Sequence, residues 1–353
     1  MSRNESSGLL RIGVALAIFA ATWFGLQKLR SSDPAPAPAP SSAPALSSAP
    51  APASASAPAP ALSSAPALPP GLLLAGTFTS VAATPTAVFA IQRLPGGSTR
   101  IVSLSLADRT ERVLDEQPAD RDPAHLVAFG DSILWTETES GRLGSERAIV
   151  AMRRDGRSRR ELMPIATMPG GLTASAEAVG FARDGAIHLL PLLAGDLGVP
   201  KRVSVGLADP LGIGSKKIYW STPKELLSTP IDGGEPRVED SPSAPKRVQL
   251  FGVVGDDVVY AVDSEIKLRD GERTTAIEGD GSGKYLDGHV AGGDLYVALR
   301  REGREDADPE DVILRLEKGA TKMETLPVRS ASFDVSGETI TYVAKDGLRT
   351  APR

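Results

Sequence analysis

One short phrase is written seven times between positions 84 and 342, and no other feature constrains the fold of this chain as tightly. A small or turn residue is followed five positions later by an aromatic or imidazole ring, with an aliphatic residue usually just before the ring. The clearest copies are GDSILW from Gly130 to Trp135, GSKKIY from Gly214 to Tyr219, GDDVVY from Gly255 to Tyr260 and GETITY from Gly337 to Tyr342. Looser copies run from Thr84 to Phe89, Arg183 to His188 and Ala291 to Tyr296. The rings step along the chain at intervals of 31 to 53 residues, and a period near forty is the mark of an array of small structural units.

Each phrase follows a short apolar run, such as LVAFG at 126–130 or LFGVVG at 250–255, so its turn joins two strands. A third strand and a second tight turn usually come next. These second turns read Arg154-Asp155-Gly156, Asp232-Gly233-Gly234, Asp270-Gly271 and Lys318-Gly319, where Asp-Gly chemistry supplies the positive φ that hairpins need. Four antiparallel strands per unit, repeated seven times, predict an all-β, seven-bladed β-propeller over residues 71–353, or a six-bladed one if the third and fourth units are misparsed. The last unit ends after its third strand, near Gly347–Thr350, while Gly71–Gly76 reads as a fourth strand without a unit. Pairing the two would close the ring and remove two exposed edges.

Blade-four wording carries a family resemblance. Ile218-Tyr219-Trp220-Ser221-Thr222, followed by Leu227 to Ile231 and the Asp232-Gly233-Gly234 turn, resembles the YWTD repeats of low-density-lipoprotein-receptor class B propellers and their bacterial relatives. The resemblance implies a propeller with a binding role and brings over no catalytic residue. The other units lack the Trp-Thr pair.

Before the repeats lie two segments of different composition. Ile12 to Leu26 has Thr22 as its single polar side chain. Extended to Gly8–Leu26, it predicts one N-terminal transmembrane helix, short for a ~30 Å hydrocarbon core but lengthened by a snorkelling Arg11. Residues 1–30 thus read as a membrane anchor. Residues 31–70 are rich in Ala, Pro and Ser and uncharged from position 34 on, so they read as a disordered stalk that favours extended polyproline geometry. This arrangement predicts a single-pass inner-membrane protein with its C-terminal domain in the periplasm or cell exterior. Its partners would then be the membrane, through the helix, and an external ligand.

Residues 71–353 carry 35 Lys and Arg against 42 Asp and Glu, which argues against nucleic acid as a partner. The chain has no Cys, so disulfides and thiolate chemistry are excluded. Asn4 is its sole Asn, which removes a residue that lactonase- and sugar-dehydrogenase-type propeller enzymes use around a central cation.

Two motifs imitate enzyme signatures. Phe129-Gly130-Asp131-Ser132-Ile133-Leu134 copies the nucleophile block of GDSL hydrolases, but no His follows His289 to act as base, and the block falls in phase with its sibling hairpins. Gly279-Asp280-Gly281-Ser282-Gly283-Lys284-Tyr285 imitates a phosphate loop, yet Glu278 and Tyr285 stand where that loop needs Gly and Ser or Thr. Both read as turns. The run Arg153, Arg154, Arg157, Arg159 and Arg160 reads as a solvated blade edge. His188, in a ring position of the repeat, reads as a core residue.

The expected function is a non-catalytic, membrane-tethered module that binds a protein, peptide or glycan, with no cofactor; the alternative is a metal-dependent lactonase- or sugar-dehydrogenase-type propeller. Six residues are candidates for partner binding. His125 and His289 fall near the starts of innermost strands, while Glu137, Glu139, Asp306 and Asp308 lie on the long charged connections at 137–147 and 300–311. Specificity usually sits on such loops of a rigid scaffold.

Overall fold

The computed structural model describes residues 71–139, 146–167, 171–206, 211–302 and 308–353; the anchor, the stalk and Asp306 lie outside them. The described residues form seven antiparallel sheets arranged as the blades of a β-propeller. Blade one takes Thr77–Ala83, Ala87–Arg93, Thr99–Ser105 and Glu111–Gln117, innermost strand first. Blade two takes Arg121–Phe129, Ser132–Glu139, Glu146–Arg153 and Arg160–Thr167, and blades four to six repeat the plan from Leu211, Val248 and Lys284.

The ring closes as the termini of the repeat predict. Blade seven has Phe333–Ser336, Thr339–Ala344 and Gly347–Pro352 from the C-terminal end, and its outer strand is Leu72–Ala75. Leu72 pairs with Arg349, Leu74 with Leu348 and Ala75 with Gly347. Gly347 has φ of 150°, and a Cβ there would fall 2.1 Å from the Leu74 carbonyl oxygen, so the seam requires glycine at this position.

Blade three departs from the expected parse. Its innermost strand is Thr173–Ala174, its second is Ala178–Arg183 and its third is Ala186–Leu193. The first turn is therefore Ala176-Glu177, held by Ser175 Oγ donating to the Ala178 carbonyl, as Thr84 Oγ1 donates to the Ala87 carbonyl in blade one. Arg183-Asp184-Gly185 joins the second and third strands instead, and His188 lies on the third strand. Thus His188 is not a core ring: it is half-buried, stacked on Phe181 with ring centroids 5.4 Å apart. With this correction the blades recur more evenly.

Seven hydrophobic clusters fill the seven seams, each shared by two neighbouring blades. The rings of the repeat meet in pairs there. Phe89 and Trp135 share the seam of blades one and two, Tyr219 and Tyr260 that of four and five, and Tyr296 and Tyr342 that of six and seven. A strand presents alternate residues to opposite faces. Phe89, Tyr219 and Tyr296 accordingly face the following blade, while Trp135, Tyr260 and Tyr342, one position further along their strands, face the preceding one. Fully burying such a ring contributes ~1.5–3 kcal/mol.

Each of these three seams also carries a buried carboxylate between two cations. Glu137 is bound by Arg121 at 2.7 Å and Arg159 at 2.9 Å, Glu239 by Lys217 at 2.7 Å and Arg269 at 3.0 Å, and Asp294 by Arg315 and Arg353 at 2.8 Å each. At least one of the cations then lies about 6 Å from a seam ring: Arg159 over Trp135, Lys217 over Tyr219, and both Arg315 and Arg353 over Tyr296. Arg159 also reaches Asp115 of blade one at 3.0 Å. The basic run is thus not wholly a solvated edge.

Candidate binding channel

The seven innermost strands enclose the axis, and all run the same way along it, so their starts gather at one mouth. Four of them carry a bulge, in blades one, two, five and six. A bulge adds a residue to one strand and re-aims its side chain. In blade two the irregularity lies between Ala124 and Val127, and His125 takes the left-handed conformation with φ of 51°. That twist turns the imidazole into the channel. Leu126, next along, donates its N–H to Ser80 Oγ of blade one at 3.0 Å, which pins the bulge to its neighbour.

Gly171 makes room for the ring: a Cβ there would lie 2.7 Å from His125 Nδ1. The protein wall around His125 and the nearby Arg147 guanidinium lower its pKa below the usual 6.5, against a weaker opposite pull from Asp287. His125 is therefore neutral at pH 7, with one ring nitrogen free to donate and the other to accept.

Two adjoining cavities occupy the axis and share His125, Leu172, Tyr285 and Asp287 in their walls. The one at the strand starts measures about 510 Å³ and includes Thr222, Arg247 and Lys284. The larger, about 740 Å³, continues to the strand ends and is lined by His289, Asp334, Glu177, Phe251 and otherwise mostly small or aliphatic residues. Such volumes fit a small ligand or a few side chains.

His289 stands in the wall of the larger cavity, toward the end of the innermost strand Lys284–Ala291 and not near its start as the sequence suggests. Its Nδ1 lies 3.2 Å from Asp334 Oδ1, and its Nε2 the same distance from Asp287 Oδ1. The second contact is an ion pair without hydrogen-bond alignment. Burial alone would depress this imidazole, but the two carboxylates outweigh it and hold its pKa well above 6.5. The two channel histidines thus carry different charges at neutral pH: His289 is a cation engaged by its neighbours, His125 a neutral ring facing open space.

Of the remaining sequence candidates, the described Glu137, Glu139 and Asp308 do not line the channel cavities. Glu137 is buried in the blade-two seam, where Trp135 Nε1 also donates to it at 3.2 Å. Glu139 ends the second strand of blade two, opposite Arg121. Asp308 is exposed on the blade-six connection. On that connection Asp311 pairs with Arg300 at 2.7 Å, and Glu310 with Arg329 at 2.7 Å. Ser132 follows the two-residue turn Gly130-Asp131 and pairs with Phe129, as a turn reading requires. The Gly279–Lys284 stretch joins blades five and six. Among the described residues, no group of three His, Asp or Glu side chains is placed to hold a metal ion.

Arg247, Lys284 and Asp287 were not singled out by sequence. Arg247 and Lys284 sit beside innermost-strand starts, and a scan of those starts for charge would have found them.

No family model matches the chain, and no curated protein matches it. Solved structures do. A chain of the mitotic checkpoint complex superposes with a TM-score of 0.54 at 9% identity, over 85% of this chain and 98% of that one. The β-propeller domain of the trilobed protease from Pyrococcus furiosus, described as having an open velcro topology, gives 0.51 at 11% identity over 78% and 95%. A prolyl endopeptidase gives 0.51 at 10% identity, over 80% of this chain and 51% of that one. At such identities the likeness shows the fold alone. This chain is a seven-bladed β-propeller.

Proposed function

We propose that the protein is a non-catalytic binding module, held at the inner membrane by Gly8–Leu26 and carried beyond it on the Ala/Pro/Ser stalk, with the channel mouth as its recognition surface. The observation that carries this reading is the contrast between the two histidines. His289 is held between Asp287 and Asp334, whereas His125 is turned by a left-handed bulge into a preformed cavity of about 510 Å³. Strained backbone positions cluster at functional sites, and of the six described non-glycine residues with positive φ His125 is the one that lines the channel. The YWTD-like wording of blade four supports the same role by resemblance, although its Trp220 is buried in the seam of blades three and four. No observation favours the lactonase- or dehydrogenase-type alternative.

Site-specific photo-crosslinking tests the assignment. A benzophenone side chain at Thr222, on the mouth, should capture a partner in the native envelope. The same group at Gly271, in an outer hairpin turn of blade five, should not. Capture at Gly271 alone, or at neither position, would contradict the reading.

A further inference from the structure

The charges of the described residues sort into two sets. Most interior carboxylates are bound: Glu137, Glu239 and Asp294 in the seams, and Asp287 and Asp334 around His289. At the mouth the order is reversed. Arg247 and Lys284 line the cavity and are exposed, and neither has an ion-pair partner among the described residues. Asp287 is the one carboxylate on that wall among the described residues, and it is engaged by His289 and by the Gly288 N–H at 2.9 Å. Arg147 adds a third cation close enough to act on His125, and its Nε is buried without a hydrogen-bond partner. Among the described residues that line it, the mouth therefore carries two exposed cations against one engaged carboxylate, with the exposed Asp263 behind them accepting the Arg247 backbone N–H at 2.9 Å, on a domain of 35 basic and 42 acidic residues.

We infer that the mouth takes an acidic peptide segment, with carboxylates met by Arg247 and Lys284, a hydrogen bond to His125, and an aliphatic side chain entering between Leu172 and Leu286. This rests on the binding role proposed above and adds the ligand class. Three features favour it. A neutral glycan is gripped by aromatic platforms, whereas Tyr285 is the single large aromatic on the mouth wall among the described residues. Its hydroxyl is folded toward Gly288, where a Cβ would lie 2.7 Å away. A nucleic acid would bring a long polyanion against an acidic surface and lose more than two cations return. A short acidic stretch with an aliphatic residue matches both the isolated cations and the leucine-lined floor, and a local cation cluster on an acidic domain selects its partner by charge complementarity.

The test uses the full chain in a neutral detergent and fluorescent hexapeptides alternating Glu with Leu, Gln with Leu, and Lys with Leu. Fluorescence anisotropy should show the Glu peptide binding at least tenfold tighter than the Gln peptide, and weakening with salt. The double reversal Arg247→Glu with Lys284→Glu should cost at least tenfold for the Glu peptide and shift preference to the Lys peptide. Reversal at Arg273, on the outer strand of blade five, should leave affinity unchanged, with melting temperature checking the fold in every case. Equal affinity for Glu and Gln peptides, an unaffected double variant, or tighter binding of an oligothymidylate would overturn the inference. Gln-peptide binding that is abolished by Gly171→Leu but indifferent to the charge reversals would overturn the acidic class while leaving the mouth as the binding site. Absence of cross-linking at Thr222 would overturn both.

Discussion

One carboxylate of Asp334 joins three blades: its Oδ1 lies 3.2 Å from His289 Nδ1 of blade six, while its Oδ2 accepts the Ala83 N–H of blade one at 2.7 Å. Asp334 itself belongs to blade seven, so the contact ties the closing blade to both neighbours at the channel wall. The protonated state of His289 strengthens the tie.

His289 makes stability depend on pH with a definite sign. Its pKa is raised on folding, so its contribution is full below the unfolded value of about 6.5 and is lost as pH rises through the folded value. Melting temperature should therefore fall between neutral pH and the folded pKa in the wild type. His289→Gln, which leaves two carboxylates facing each other, should cost ~3 kcal/mol at pH 6 and remove that part of the slope. A variant with the wild-type slope would show that another group titrates.

Asp294 acts at the other end of the scale. Burial pushes its carboxyl up, but hydrogen bonds from Arg315 and Arg353 outweigh this and lower its pKa to about 2. Its stabilisation is present above the unfolded value near 3.9 and is lost as pH falls toward 2. Asp294→Asn should cost on the order of 2 kcal/mol at pH 6 and almost nothing at pH 2. Chemical denaturation at the two pH values measures the difference.

Tyr260 separates packing from hydrogen bonding in the seam of blades four and five. It is fully buried, and its hydroxyl donates to Asp240 Oδ2 at 2.7 Å. Tyr260→Phe should cost ~1–3 kcal/mol for the lost bond to the Asp240 carboxyl, and Tyr260→Ala ~3–5 kcal/mol with the cavity included. Equal costs would mean that the ring contributes little beyond its hydroxyl.

Closure by the first described strand is tested by truncation. A chain beginning at Pro69 keeps Leu72–Ala75 and should melt cooperatively. One beginning at Ala83 loses that strand and most of the blade-one innermost strand, leaving a bare edge, and should lose the cooperative transition. Equal melting of the two would contradict closure.

Blade number and closure were legible because Gly and Asp-Gly turns mark most hairpins and because Gly71–Gly76 reads as an unpaired strand. Blade three was not, since its innermost strand has two residues and its first turn, Ala176-Glu177, has no glycine. The five-residue phrase also merged two ring positions: Phe89, Tyr219 and Tyr296 face one way along the ring, Trp135, Tyr260 and Tyr342 the other. The seam carboxylates were hidden by distance, as Glu239 and Arg269 are 30 positions apart and Asp294 and Arg353 are 59. At the channel, His125 and His289 could be placed on innermost strands from their positions in the repeat. The bulge that turns His125 inward arises from register between strands, which residue types alone do not encode.

Gly171→Leu tests the recognition surface most directly, because any side chain there invades the space of His125 and adds no charge. The measurement is retention of the partner cross-linked at Thr222, for wild type and variant in the full chain, alongside melting temperature. A loss of at least tenfold in affinity with little change in melting is the result predicted. Unchanged retention by a folded variant would contradict the claim that the channel mouth is where this propeller binds.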